Sequence, residues 1–276
     1  MFTVASVQMK FRKTIEENVE WIAKTILETA RNGADAVLFP ECAVTGYNYP
    51  FDTLSASQLD EALRRLSRIV KQARCNALIG SPTFEGKRLH NSLLVFNRKG
   101  KEIFRYSKIH LTPDDKHFFT PGNKLAFFHL DLIPCTAVIC HERRYPELVR
   151  IPVMMGAQIL FHPNAGMDSL TVSKAKRKGR DGIAVRAFEN AIFYVFSNSV
   201  GPQGNSKWSA GDSKIVAPDS TVLALANNRD ETVIRADLDL TKATRIYAKE
   251  ALQLPEFLRS HWQTMLEACR RKLSEL

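Results

Sequence analysis

Residues 137–147, Ala137-Val138-Ile139-Cys140-His141-Glu142-Arg143-Arg144-Tyr145-Pro146-Glu147, run from apolar side chains into charge, and the change comes at a cysteine. A short apolar run bounded by polar residues reads as a buried strand. Open α/β sheets place their chemistry just beyond the carboxyl ends of strands, so Cys140 is a candidate nucleophile. Taken alone it fits the core better than a nucleophile, because free cysteine is among the most buried residue types.

Upstream, Thr3 to Met9 alternates like a strand, and Thr14 with Glu17 forms a capping box. Ile15, Val19, Ile22, Ile26 and Ala30 then recur at helical spacing up to Gly33. Ala34 to Phe39 is a second strand, ended by Pro40 and followed directly by Glu41. Ser57 with Asp60 marks the start of a second helix whose Leu59, Leu63, Leu66, Ile69 and Ala73 share a face. After a strand at Ala77 to Gly80, Leu93–Phe96 and Glu102–Tyr106 flank a hairpin turn with Gly100 in it, and Lys108 follows.

Strands over Ala126–Leu130 and Pro134–Ile139 lead to Cys140. Pro146 to Met155 reads as a helix that Pro152 should kink or cut short. Gln158–Phe161 and Ala191–Phe196 are strands ending near His162-Pro163-Asn164 and Ser197-Asn198, with a helix closing at Arg186 to Asn190 between them. Ser213–Ala217, Val222–Ala226 and Thr232–Asp237 read as consecutive strands, and Pro255–Leu273 as a terminal helix. Strands and helices alternating along the chain argue for α/β layers. With no repeat or linker to mark a boundary, residues 1–276 read as one domain.

The chain has 276 residues, 45% of them hydrophobic, enough for a large core. No window approaches the roughly 18 apolar residues of a spanning helix, and the N-terminus lacks the basic region of an export signal. The expectation is a cytoplasmic protein without a membrane partner. Five scattered cysteines give neither a disulfide framework nor a zinc knuckle, and seven histidines show no ligand spacing, so no metal or cofactor is expected. The net charge of +10 suits an acidic substrate or nucleic acid, but a solvated basic surface accounts for it better, because charge alone says nothing about a site. The run Lys174-Ala175-Lys176-Arg177-Lys178-Gly179-Arg180 has no interleaved aromatics for base stacking, so no nucleic-acid partner is expected.

Glu41, Lys108 and Cys140 each follow a strand. If those strand ends meet, a thiolate attacks a carbonyl or nitrile carbon, the carboxylate moves the proton to the leaving amine, and the ammonium steadies the oxyanion. The backbone N–H of His141 is a natural second oxyanion donor. A basic binding protein without turnover is the competing class.

Val4-Ala5-Ser6-Val7-Gln8, Phe39-Pro40-Glu41, Tyr106-Ser107-Lys108-Ile109-His110-Leu111, Phe119-Thr120-Pro121-Gly122, Ile139-Cys140 with Tyr145-Pro146-Glu147, and Arg186-Ala187-Phe188-Glu189-Asn190 together resemble the nitrilase superfamily of carbon-nitrogen hydrolases. The resemblance implies a four-layer αββα sandwich, a Glu41-Lys108-Cys140 triad and a thioester intermediate. It also implies a homodimer or larger assembly. Asp115 is the equivalent of a second family glutamate, with a shorter side chain, and Glu142 stands where amidase-like branches have aspartate. Arg143-Arg144 is similar to the paired arginines of N-carbamoyl amino acid hydrolases. These arginines either hold a substrate carboxylate or brace the turn. The small-molecule substrate is then an amide or a carbamoyl acid, in a pocket that His141 and the loop from Asn164 border.

Overall fold

The computed structural model describes residues 1–169, 171–172, 182–203, 207–253 and 256–274. The basic run Lys174–Arg180 lies outside them. In chain order the strands are β1 (Phe2–Gln8), β2 (Ala36–Leu38), β3 (Asn76–Glu85), β4 (Arg88–Phe96), β5 (Glu102–Ser107), β6 (Phe128–Leu130), β7 (Ile133–Ala137), β8 (Ile159–Asn164), β9 (Met167–Ser169), β10 (Phe193–Asn198), β11 (Val200–Pro202), β12 (Lys207–Ala210), β13 (Lys214–Val216), β14 (Val222–Leu225) and β15 (Thr232–Leu238). The helices used below are α1 (Ile15–Arg31), α2 (Ala56–Ala73), α3 (Glu147–Met155), α4 (Ile183–Asn190), α5 (Ile246–Ala251) and α6 (Glu256–Ser274).

Two six-stranded sheets, ordered β15-β1-β2-β3-β4-β5 and β14-β13-β10-β8-β7-β6, form the middle of the molecule. Between them lie Val4, Leu38, Leu78, Leu93 and Val95 from the first, and Ile139, Ile159, Phe161, Phe193 and Val195 from the second and its edge. The first sheet's other face packs Val7, Phe39, Ile79 and Leu94 against Val19, Ile22 and Ile26 of α1 and Leu59, Leu66 and Val70 of α2. The second sheet's other face packs Leu160, Tyr194 and Val216 against Leu148 and Val153 of α3, Ala187 of α4 and Ala248 of α5. The order is therefore αββα. Burial on both faces explains why the central strands read as unbroken apolar runs rather than alternating ones.

Local chemistry sets the boundaries. Helix α2 begins at a capping box of Ser55 and Gln58, two residues before the Ser57 start read from the sequence. Pro152 sits inside α3 without ending it: the helix that follows Pro146 continues to Met155. The last strands are not one meander: β14 stays in the second sheet, while β15 crosses to pair antiparallel with β1. A small third sheet, β11-β12-β9, escaped the sequence reading altogether, its strands being three or four residues long.

Strands β1, β2 and β3 are parallel, and β5 regains their direction after two antiparallel turns. In the second sheet β7, β8 and β10 are parallel. The carboxyl ends of these strands carry the residues described next.

Candidate active site

Glu41 leaves the end of β2 and is 1% exposed. Gly80 makes room for it, since a Cβ there would stand 2.1 Å from the Pro40 carbonyl oxygen and 2.8 Å from Glu41 Cα. One Glu41 oxygen, Oε1, receives Asn91 Nδ2 at 2.7 Å and Lys108 Nζ at 2.8 Å. The other, Oε2, accepts the Ala165 N–H at 3.0 Å, and the carboxylate also accepts a side-chain hydrogen bond from Cys140.

Lys108 is completely buried at the end of β5. Its Nζ lies 2.8 Å from Asp115 Oδ2 as well as from Glu41. The shorter side chain of Asp115 reaches because its loop folds back: Thr112 N–H donates to Asp115 Oδ2 at 2.9 Å and Asp115 N–H to Thr112 Oγ1 at 3.1 Å. Tyr47 OH donates to Asp115 Oδ1 at 2.5 Å. Burial works against the lysine's charge, but Glu41, Cys140 and Asp115 outweigh it and hold the pKa well above the ordinary lysine value. Burial likewise opposes the Asp115 charge, and Lys108 and the hydrogen bonds overcome it, holding that carboxyl below its usual range.

Cys140 opens a tight helical turn over Cys140–Arg144 and takes φ +52°, a left-handed conformation strained for any side chain. Two buried groups hold it there. Glu142 accepts the Ile139 N–H at 2.8 Å, the Ile109 N–H at 2.7 Å, the His110 N–H at 3.1 Å and the Tyr106 hydroxyl at 2.9 Å. The glutamate in place of aspartate thus seals the turn instead of loosening it. His162 places Nε2 2.9 Å from the Cys140 carbonyl oxygen and Nδ1 2.7 Å from Tyr194 OH. Tyr194 can donate to Nδ1, which leaves Nε2–H to donate to Cys140. Burial first, then the Glu41 carboxylate, pushes the Cys140 thiol up to about 12, with Lys108 pulling the other way.

Tyr47, Cys140, His141, Arg143, Arg144 and Asn164 share the wall of one cleft of about 260 Å³. Asp115 lies behind Lys108, outside that lining. Arg143 sends Nη1 toward the Cys140 carbonyl at 3.5 Å, and its own carbonyl accepts Arg186 Nε at 2.7 Å, so Arg143 is tied to the turn. Arg144 is exposed and has no hydrogen bond or ion pair among the described residues. The Asn164 side chain donates to Asn198 Oδ1 at 2.8 Å, which braces the loop beyond β8. His141 sits 3.3 Å from Tyr145 OH through Nε2; burial, then the cations Arg144, Lys108 and Arg143, lower its pKa.

The sequence reading missed Tyr47, Asn91, His162 and Lys207. Asn91 fell outside the strand read at Leu93–Phe96, and His162 just past the one read at Gln158–Phe161, although both lie within strands in the structure. Lys207 belongs to the unforeseen third sheet, which walls the cleft through Met167, Asp168, Lys207 and Ala210.

An αββα sandwich with a thiol, an ammonium and a carboxylate meeting at its strand ends is the architecture of a carbon-nitrogen hydrolase. The chain belongs to that family, described as carbon-nitrogen hydrolase, which it matches over residues 3–248. It is 31% identical over 248 residues to a nitrilase of Pyrococcus abyssi (strain GE5 / Orsay), covering 87% of this chain and 90% of that one. An omega-amidase of Homo sapiens is 27% identical over 256 residues, covering 89% and 91%. An amidase from Nesterenkonia sp. shares the fold at TM-score 0.81 and 24% identity, over 95% of this chain and 96% of that one.

Proposed function

We propose that this carbon-nitrogen hydrolase acts on a small amide or N-carbamoyl acid bearing a carboxylate, with Cys140 as nucleophile, Glu41 as proton carrier and Lys108 as oxyanion partner. The observation that carries the reading is the Lys108 ammonium 2.8 Å from Glu41, whose carboxylate is hydrogen-bonded to the Cys140 thiol. A thiol raised to about 12 is neutral at rest, so the proton must leave as sulfur attacks, and Glu41 is the acceptor in contact. Tetrahedral charge then forms beside Lys108 and the His141 backbone N–H at the start of the turn. The same Glu41 returns the proton to the departing nitrogen. Water repeats the sequence on the thioester and releases the acid.

Asp115 holds Lys108 in place together with Glu41, each 2.8 Å from the ammonium. Arg144 receives the substrate carboxylate at the cleft, with Arg143 and His141 alongside and Asn164 shaping the wall. The names of relatives agree with such a substrate: one, 26% identical over 232 residues, is a 2-oxoglutaramate amidase of Bacillus subtilis (strain 168). The test is ammonia release from a panel of neutral amides, carboxylate-bearing amides, carbamoyl acids and nitriles. Cys140→Ala should abolish release with folding retained, and undiminished release by that variant would overturn the assignment.

Residues 1–276 are read as one domain working in a reducing cytoplasm, in keeping with Cys42, Cys75, Cys135 and Cys140 all being free thiols. A homodimer or larger assembly is supported by exposed apolar side chains on neighbouring helices: Ile151 and Met155 of α3, Val185 and Phe188 of α4. Light scattering on Phe188→Glu should report a smaller particle than wild type.

A further inference from the structure

Away from the Cys140 cleft, and sharing no residue with it, a second cavity of about 330 Å³ lies at the β4–β5 edge of the first sheet. Side chains alternate along a strand. Asn91 reaches Glu41 on one face of β4, so His90 and Ser92 lie on the other, where the cavity opens. His90 is 7% exposed, and neither of its ring nitrogens has a hydrogen-bond partner among the described residues. The nearest carboxylate oxygen, on the exposed side chain of Glu85, is 3.6 Å from Nε2. An imidazole that buried has its hydrogen-bonding capacity directed at whatever enters the cavity.

The rest of the lining is rich in donors. Arg88 and Lys124 are exposed cations at the mouth, Lys124 lying 5.0 Å above the Phe104 ring. Arg105 also lines the cavity, although Glu102 engages it at 2.7 and 2.9 Å. A chain of hydroxyls runs from Thr83 to Ser92 at 2.7 Å and on to Ser107 at 3.0 Å. Against three cations the lining offers one carboxylate, Glu85. Such a set complements a compact anion able to accept several hydrogen bonds at once.

We propose that this cavity is a second ligand site, for a small phosphate- or carboxylate-type oxyanion, held by Arg88, Lys124 and the His90 imidazole. The site is wired to the catalytic groups through the backbone. His90 directly precedes Asn91, which holds Glu41, and Ser107 directly precedes Lys108. Gly122, also in the lining, donates its N–H to the Lys108 carbonyl at 2.8 Å and packs so closely that a Cβ would stand 2.1 Å from Ser107 O. An anion bound here is one residue away from both strand positions that align the Glu41–Lys108 pair.

The test is calorimetric titration of the full chain with inorganic phosphate and, separately, succinate. Arg88→Gln and Lys124→Gln alter exposed side chains and leave the fold intact. Each should weaken binding about tenfold, the loss of one charge-assisted hydrogen bond. Arg144→Gln, in the catalytic cleft, should leave the component of binding that depends on Arg88 and Lys124 unchanged, whatever it removes from succinate binding in that cleft. Binding of either anion with that dependence supports the site, and the tighter of the two identifies its source. The proposal is overturned if neither binds at millimolar concentration. It is equally overturned if binding persists in the Arg88→Gln/Lys124→Gln double variant but disappears in Arg144→Gln.

Discussion

Glu142 accepts the backbone N–H of Ile109 at 2.7 Å, and so ties the residue after Lys108 to the turn that begins at Cys140. The same carboxylate takes the Ile139 N–H on the other side of the cysteine. Burial raises its pKa, while hydrogen bonds from Ile139, His110, Ile109 and Tyr106 oppose the rise. Glu142→Gln replaces one acceptor oxygen with an NH2 group that must face backbone donors. The expected outcome is a loss of roughly 1–3 kcal/mol in stability and a fall in kcat with little change in KM, read by urea unfolding and steady-state kinetics. A variant with wild-type kcat would show that the carboxylate does not align Cys140 for turnover.

The Cys140 thiol gives a second expectation. With its pKa raised to about 12, the thiolate is scarce at neutral pH, and alkylation by iodoacetamide should be at least about tenfold slower at pH 8 than for an unperturbed cysteine. The rate should keep climbing beyond pH 9 instead of levelling off there. Because the fold favours the protonated thiol, this contribution to stability is complete below the unfolded pKa near 8.5 and fades as pH rises toward 12. Mass spectrometry of alkylated Cys140 across pH checks the first point. A rate that levels off near pH 8.5 would mean an ordinary thiol.

The placement of Glu41, Lys108 and Cys140 at strand ends was legible in the sequence: Glu41 and Cys140 each follow an apolar run directly, and Lys108 follows the second strand of a hairpin. The αββα layering was legible only as α/β alternation, until several separate motifs pointed together to one superfamily. What periodicity could not show were the contacts made between strands of one sheet. Asn91 and Glu41 are 50 positions apart, and His162 touches Cys140 from a neighbouring strand 22 positions away. Nothing local marks such pairs. The third sheet was hidden because three-residue strands carry too little pattern, and Lys207 was hidden with it.

His162 should make the protein acid-sensitive. Burial and then the Arg143 charge hold its pKa well below 6.5, although the Cys140 carbonyl favours the protonated ring. The unfolded chain therefore binds this proton first. Stability is complete above pH 6.5 and is lost as pH falls toward the folded value, at up to about 1.4 kcal/mol per pH unit. Urea midpoints at pH 7 and pH 5 should differ more in wild type than in His162→Gln. Equal differences would assign the acid sensitivity to other groups.

Arg144 decides between the two uses of the paired arginines. Arg143 is bound into the turn through the Cys140 and Arg143 carbonyls, whereas Arg144 has no partner among the described residues and lines the cleft. A guanidinium that braces nothing costs the fold little when removed, but a carboxylate bound by it loses a charge-assisted contact. Arg144→Gln should therefore leave thermal stability unchanged and raise KM about tenfold or more for carboxylate-bearing amides. Its kcat/KM for neutral amides should match wild type. Parallel losses on charged and neutral substrates would place Arg144 in the architecture of the turn, and would leave recognition of the anionic end to Lys207, whose ammonium lies 3.8 Å from Asp114 on the facing wall.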